Sequence, residues 1–280
     1  MSEIVSIAIA CITGKMGMNL AHTAINTKFV KLTAATVSPN NESPKTIGTL
    51  LGVAGYDFLP KQQLEKCIND FDVLIDFSHP DATLKQLKVC SEYNKAIVIG
   101  TTGFNANQLI ELKAFSEQIP IVFASNMSRG VNISLNLIKQ LTKLIGHEAD
   151  IEIIEAHHRH KKDAPSGTAL TMGEMVANAL GDEPLSDIAS FGRNGLSESG
   201  RDKKIGFSAI RAGDIVGEHT VMFALPGETI EIKHVANSRT TFSEGALTAA
   251  VWLKDKRPGL YNMQDVLGLS NFGFGCHAGN

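Results

Sequence analysis

Cysteine is scarce in the 280-residue chain, and its four copies, Cys11, Cys67, Cys90 and Cys276, stand far apart with no CxxC pair. That argues against a disulfide framework or a cysteine zinc site and fits reduced thiols in a cytoplasmic protein. Positive charge is not in excess either. The 26 Lys and Arg face 29 Asp and Glu, a formal net charge of −3, so neither nucleic acid nor an anionic membrane is expected as the main partner. Long apolar runs are missing too: "IVSIAIACI" near the start follows Glu3 rather than a basic segment, and no run reaches the ~18 residues of a membrane span. No internal repeat is visible. What is present is an ordinary balance, 43% hydrophobic and 20% charged, over a length that suits two modest domains or one large one.

The first half alternates short β-prone runs with helical periodicity. Strands are expected over 4–10, 30–37, 72–78, 95–102 and 120–126. Helices are expected between several of them, with Met16, Leu20 and Ala24 on one face, then Leu84 and Leu87, then Leu109, Leu112 and Phe115. Such alternation implies an α/β fold, a Rossmann-type parallel sheet covered on both faces, with ligands at the carboxyl ends of its strands. Those ends read "CITGKMG", "VSPNN", "FSHPDAT", "GTTGF" and "SNMSRG".

After about residue 127 the pattern changes to α+β. A helix over 130–146 should bury Ile133, Leu137 and Leu144; "DIEIIEAHH" reads as a strand and "APSGTALTMGEMVANAL" as a helix. "KKIGFSAIRAG", "DIVGEHTVMFAL" and "ETIEIKHVAN" alternate like antiparallel strands, with "PGE" as a turn, and "TTFSEGALTAAVWL" forms a last helix before a polar connection. The expected organisation is a dinucleotide-binding domain over 1–126, a second domain over 127–239, and a segment 240–280 that rejoins the first. The tail "SNFGFGCHAGN" is expected to be loosely ordered.

Two stretches carry chemistry. "CITGKMG" joins a strand to a helix start through a tight turn, an arrangement that aims N–H groups and the positive helix end at a phosphate. The three-glycine fingerprint is incomplete: Gly14 and Gly17 are there, but Cys11 and Thr13 stand where glycine is usual. Alone it is a weak signal, strengthened by the small-residue loops at the other strand ends. The second stretch, "EAHHRHKKDAPSGTAL", packs three histidines, one arginine and two lysines into residues 157–162. Extended geometry would put Glu155, His157, Arg159 and Lys161 on one face, with His158 and His160 on the other. A solvated basic loop is one reading. A metal site is another, though HExxH spacing is absent and the lysines would repel a cation. The third is an anion site, with Lys161 as a compact charge, His157 and His158 as tunable protons, and "SGTA" supplying free N–H groups in a first helical turn.

Together with "VIGTTGF" and "RAGDIVGEHTVMF", this second stretch resembles the dihydrodipicolinate reductase (4-hydroxy-tetrahydrodipicolinate reductase) family, over nearly the whole chain to about residue 269. The resemblance implies a Rossmann-type domain, a substrate domain whose open sheet builds a homotetramer, and NADH- or NADPH-dependent reduction of a small cyclic dicarboxylate in the diaminopimelate and lysine pathway. By position it implies His157 as proton donor or acceptor and Lys161 as proton donor. His158, Gly167 and Thr168, with Ser166 beside them, would bind substrate. Cys11, Ile12, Thr13, Gly14, Lys15 and Met16 would form the dinucleotide loop. Gly100, Thr101 and Thr102, with Ala124, Ser125, Asn126 and Met127, would flank the nicotinamide. No metal is implied. The resemblance further implies that hydride passes to the substrate ring and that Lys161 or His157 would protonate the resulting enamine carbon. After the second strand the chain departs from the family: Val37 stands where an acid is frequent and Ser38 where arginine is frequent. With Lys15 in the facing loop, and Lys45 the nearest further cation, both cofactors are expected to serve, NADPH modestly favoured. A nucleotide-sensing regulator on the same scaffold remains a second reading, and a metal-dependent hydrolase a third.

Overall fold

The structure, a computed structural model, describes residues 4–41, 45–181, 183–196 and 203–269. The described residues divide into two compact units, one made of those up to Arg129 with Thr240 to Leu269, the other running from Gly130 to Arg239.

The first unit is built on strands β1 (Val5–Ile9), β2 (Val30–Ala35), β3 (Val73–Asp76), β4 (Ala96–Ile99) and β5 (Pro120–Phe123). All pair in parallel, in the spatial order β5-β4-β3-β1-β2. Their residues alternate between two apolar layers. Ile7, Ile9, Val73 and Ile75 face one, and Ala8, Leu74, Ile97 and Ile99 the other. β3 and β4 are buried along their whole length, as expected of strands covered on both faces. The connections are α1 (Lys15–Ile25), α2 (Ile47–Leu51), a 3-10 helix (Leu64–Asp70), α3 (Pro80–Glu92) and α4 (Ala106–Phe115). α3 opens with Pro80 at its first turn and buries Thr83, Leu87 and Cys90. α4 is started by a capping box between Asn105 and Gln108. It buries Leu112 and packs Phe115, but Leu109, expected on the same face, is 41% exposed. Because connections leave the sheet in opposite directions on either side of β1 and β3, a switch point lies between these strands.

In the second unit, α5 (Arg129–Ile145), β6 (Asp150–His157), α6 (Gly167–Leu180), α7 (Leu185–Ile188), β7 (Ala189–Phe191), β8 (Ile205–Arg211), β9 (Gly217–Leu225) and β10 (Glu228–Ala236) form a five-stranded sheet under α5 and α6. The order is β10-β9-β6-β8-β7. β9 and β10 are antiparallel, joined at Gly227, whose φ is +88. β8 is not paired with β9, contrary to the expected antiparallel run. β6 lies between them, parallel to β8 and antiparallel to β9. With Ile151 and Ile153 buried, β6 takes the centre, where both edges are satisfied. A second correction concerns α5. Ile133, Leu137 and Leu144 are 45%, 47% and 66% exposed, while Val131, Leu135, Ile138 and Thr142 face the sheet. Apolar residues occupy both flanks of this helix, so periodicity alone offered two faces, and packing against Ile153 and Phe223 selects the other one.

The chain then returns to the first unit. α8 (Thr240–Leu253) lays Ala246, Leu247, Ala249, Ala250 and Leu253 on the parallel sheet. β11 (Gly259–Tyr261) adds a sixth parallel strand beside β5, and α9 (Met263–Val266) closes the unit with a capping box at Asn262. The polar connection expected after α8 thus holds a three-residue edge strand. The expected loose tail, and Cys276 within it, lie outside the described residues. Among the described residues no helix is long and apolar enough to cross a membrane.

Candidate active site

Parallel pairing brings the loops after β1, β2, β4 and β5 to one edge of the first sheet. The loop after β1 is shaped by its backbone. Cys11 adopts a left-handed conformation, φ 49, in the place where glycine is usual. Its N–H donates to Thr36 Oγ1 (3.2 Å), Ile12 N–H to the Thr36 carbonyl (2.9 Å), and Gly14 N–H to the Cys11 carbonyl (2.9 Å). Gly14 caps α1 with no side-chain hydrogen bond. At Gly17 a Cβ would stand 2.7 Å from the Cys11 carbonyl oxygen and from Ile12 Cα, so only glycine lets the helix approach the strand this closely. At Gly100 a Cβ would collide with a side chain, the Phe77 ring, which would have to move. Burial, then the Asp76 carboxyl, pushes the Cys11 thiol up, so at neutral pH it is a protonated thiol rather than a nucleophile.

The expected dinucleotide residues divide by exposure. Thr13, Gly14, Lys15, Ser38, Thr102 and Ser125 are exposed along the edge, whereas Ile12, Thr101 and Met127 are buried beneath it. Thr101 Oγ1 lies 3.0 Å from Thr83 Oγ1, and Asn126 Oδ1 accepts from Ser128 N–H (2.9 Å). Met127 is pressed by α8, because a Cβ at Gly245 would collide with its carbonyl. Cys11, Met16, Gly100 and Ala124 are partly buried. After β2, Val37 is buried and its N–H donates to the Lys61 carbonyl (2.9 Å), while Lys61 N–H donates to the Ala35 carbonyl (2.8 Å). This bridge brings an exposed cation beside the strand end, one the sequence did not suggest.

The charge cluster of the second unit is organised differently. β6 stops at His157, and the chain turns, with Lys161 N–H donating to the His158 carbonyl (3.1 Å). The expected alternation therefore holds for Glu155 and His157 but does not run on to Lys161. Glu155, 1% exposed, accepts from Arg211 Nη1 (2.8 Å) and Nη2 (2.6 Å), from the Ser166 N–H (3.1 Å) and from His157 Nδ1 at 2.6 Å. Lys161 Nζ sits 2.9 and 2.8 Å from the two Asp163 carboxylate oxygens. The His158 and His160 rings are 6.2 Å apart. α6 begins where Ser166 Oγ accepts from Ala169 N–H (3.2 Å), and the same oxygen lies 2.8 Å from His219 Nε2. Ser166 is thus buried with its hydroxyl facing protein, while Gly167 is exposed and Thr168 partly so.

The electrostatics follow from these contacts. Burial opposes the charge of Glu155, but the hydrogen bonds from Arg211 and His157 outweigh it and hold the carboxyl below its usual range. Burial lowers His157; Glu155 works against that, while Lys161 and Arg211 add to it. His219 is pushed down to about 4 by burial and then by His157. Asp163 is held low chiefly by its hydrogen bond from Lys161. Both imidazoles are therefore neutral at pH 7 beside an ionised carboxylate.

Arg211, His219 and Asp163 were assigned no role from the sequence, and Glu155 was placed on the right face without one. The signal was available: Arg211 and His219 both lie in "RAGDIVGEHTVMF", whose polar residues sit in otherwise strand-like runs.

Comparison with known proteins gives a consistent result. A family model described as "Dihydrodipicolinate reductase, N-terminus" matches residues 5–127, and one described as "Dihydrodipicolinate reductase, C-terminus" matches residues 130–267. Among solved structures, a dipicolinate-bound dihydrodipicolinate reductase from Paenisporosarcina sp. TG-14 is 25% identical with a TM-score of 0.72, covering 94% of this chain and 98% of that one. An amine dehydrogenase from Mycobacterium smegmatis shares the fold at 10% identity, TM-score 0.62, covering 92% and 95% of the two chains. A probable dehydrogenase from Thermotoga maritima does so at 11%, TM-score 0.58, covering 94% and 92%.

Proposed function

The chain belongs to the dihydrodipicolinate reductase family, and on that premise we propose how its own residues serve the reaction. It is an NAD(P)H-dependent oxidoreductase that reduces a dihydrodipicolinate-type substrate in lysine and diaminopimelate biosynthesis. The specific conversion is 4-hydroxy-tetrahydrodipicolinate to tetrahydrodipicolinate: the 4-hydroxyl leaves as water, and the conjugated ring that results takes up one hydride and one proton. A nicotinamide cofactor, when bound, supplies the hydride. The residues present fit that group, since the start of α1, without a side-chain cap, opens at the sheet edge beside exposed Thr13, Gly14 and Lys15.

The observation that carries the proton chemistry is the Glu155-bound His157 ring in the same cluster as Lys161. The Lys161 ammonium, paired with Asp163, delivers a proton to the enamine carbon, and His157 exchanges protons beside it. His158, Gly167 and Thr168 hold one substrate carboxylate at the start of α6, with Ser166 setting the cap that shapes this turn. The dinucleotide lies over Thr13, Gly14, Lys15, Ser38, Thr102 and Ser125, supported from below by Ile12, Thr101 and Met127. Both cofactors serve, with NADPH modestly preferred. Buried Val37 presents no acid to repel a 2′-phosphate, while Ser38 and Lys15 are exposed.

The enzyme acts in the cytoplasm as a homotetramer built through the face of the second sheet that no described helix covers. That face carries Ile154, Ile210, Met222 and Val235 among Glu152, Glu218 and Lys233. The decisive experiment follows cofactor absorbance while a synthase generates the unstable substrate in situ. Oxidation of both NADH and NADPH is expected. Dinucleotide binding without oxidation would leave a nucleotide-sensing protein instead.

A further inference from the structure

An ionised carboxylate offers about four acceptor positions, and all four at Glu155 are used. Oε1 takes Arg211 Nη2 and Ser166 N–H, and Oε2 takes Arg211 Nη1 and His157 Nδ1. The donors come from three elements: His157 ends β6, Arg211 ends β8, and Ser166 starts α6. Arg211 reaches further, donating to the carbonyls of Ile210 (2.7 Å) and Asp163 (2.6 Å), so the turn carrying Lys161 and Asp163 hangs from the same pair. With no acceptor position left over and 1% of its surface exposed, Glu155 has nothing to offer a substrate directly. Its action must pass through its partners.

We propose that Glu155 is a positioning residue: its carboxylate fixes His157 in the Nδ1–H tautomer, leaves Nε2 as the proton-exchanging nitrogen, and ties that ring to Ser166 and Arg211. The reasoning runs from donors to acceptors. A bidentate guanidinium keeps Glu155 ionised, and an ionised carboxylate only accepts. At 2.6 Å, His157 Nδ1 must therefore carry a proton, and in the neutral ring the lone pair falls on Nε2. The flank of Nε2 is kept clear by Gly217, where a Cβ would stand 3.1 Å from it. The charged and titratable groups around the ring are Glu155 on its own strand, Arg211 from β8, His219 from β9 at 5.1 Å between ring centroids, and Lys161 with its partner Asp163 from the turn. One strand further, His234 lies opposite His219. Of these, Glu155 raises the His157 pKa while burial, Lys161 and Arg211 lower it. Neutralising Glu155 removes the raising influence, so the His157 titration must move to lower pH.

The proposal rests on His157 handling protons in turnover, but the tautomer is measurable without turnover. Side-chain 15N spectra of histidine-labelled protein, with His157→Gln assigning the signal, should show Nδ1–H and a bare Nε2 at neutral pH. Glu155→Gln should shift the ring toward Nε2–H, move its titration to lower pH and lower kcat by about 10²-fold, with KM changed less than about threefold. Glu155→Asp should restore part of kcat and move the titration back. An Nε2–H ring in the wild type would overturn the proposal, a result that needs no variant to fold. So would a Glu155→Gln protein that loses turnover while the His157 titration stays in place, which is what a purely structural role would give. Full turnover in His157→Ala would instead sink the proposed catalytic role while leaving the tautomer result standing, so the two failures separate.

Discussion

The edge of the parallel sheet and the end of β6 present two ways of building a ligand site. The first is made of backbone: a left-handed Cys11, a close approach at Gly17 and a helix start without a side-chain cap. The second is made of side chains that hold one another, with Glu155, His157, Arg211, Ser166 and His219 in one hydrogen-bonded group. A backbone site asks only that the chain take a path. Cys11 can therefore stand where glycine is usual, at the cost of a left-handed conformation. A side-chain site asks for particular donors and acceptors, and each of its members is hard to replace.

That contrast is sharpest in catalysis. His157→Ala and Lys161→Ala should each lower kcat by about 10²-fold, while dinucleotide affinity, read by fluorescence titration, stays nearly unchanged. A parallel loss of dinucleotide affinity would erase the distinction between the two sites.

The next largest effect concerns acid. His219 titrates near 6.5 in an unfolded chain and at about 4 in the fold. Between these values the unfolded state binds the extra proton, so the stability that neutral His219 contributes is intact above pH 6.5 and is lost as pH falls toward 4. His157 and His234 are shifted in the same direction. Denaturant midpoints should show a loss on the order of 2 kcal/mol across this window. His219→Gln, whose amide reaches the place of Nε2 and so still offers Ser166 a hydrogen-bonding partner, should flatten the curve. An unchanged slope would assign the acid sensitivity elsewhere.

A smaller change tests the anion end of the second site. Thr168→Val should raise KM about tenfold, the scale of one charge-assisted hydrogen bond, and planar pyridine dicarboxylates should inhibit competitively. Equal inhibition by monocarboxylates would count against a two-ended anion site. The smallest effect belongs to the backbone-built edge. Lys15→Ala should lower the NADPH-to-NADH ratio of kcat/KM by about fivefold, as expected for one exposed cation. If the ratio ignores Lys15, Lys61, which the bridge to β2 brings close, is the next residue to change.

How much of this was legible varied with the kind of residue. The five strands of the first sheet could be placed because β-branched runs buried on both faces look the same from any direction. α5 could not be oriented, since Ile133 and Leu137 are as apolar as Leu135 and Ile138 and only the partner surface distinguishes them. β11 left almost no trace, because three residues at a sheet edge are held by main-chain hydrogen bonds that any sequence can make.

By itself the sequence determined the alternation of strand and helix, the small-residue loops at the strand ends, and a charge cluster dense enough to carry a family resemblance. These are local properties, set by neighbours within a few positions along the chain. Only the tertiary structure decided that β6 would lie between β8 and β9, and with it which residues meet. Arg211 and His219 stand 56 and 64 positions from Glu155, and it is strand pairing that places each beside it. The order of strands in a sheet follows from long-range burial rather than from any short pattern. For that reason His157 could be read from its neighbours with Glu155 on the same face, whereas the guanidinium and second imidazole, visible as polar residues in strand-like runs, could not be paired with it.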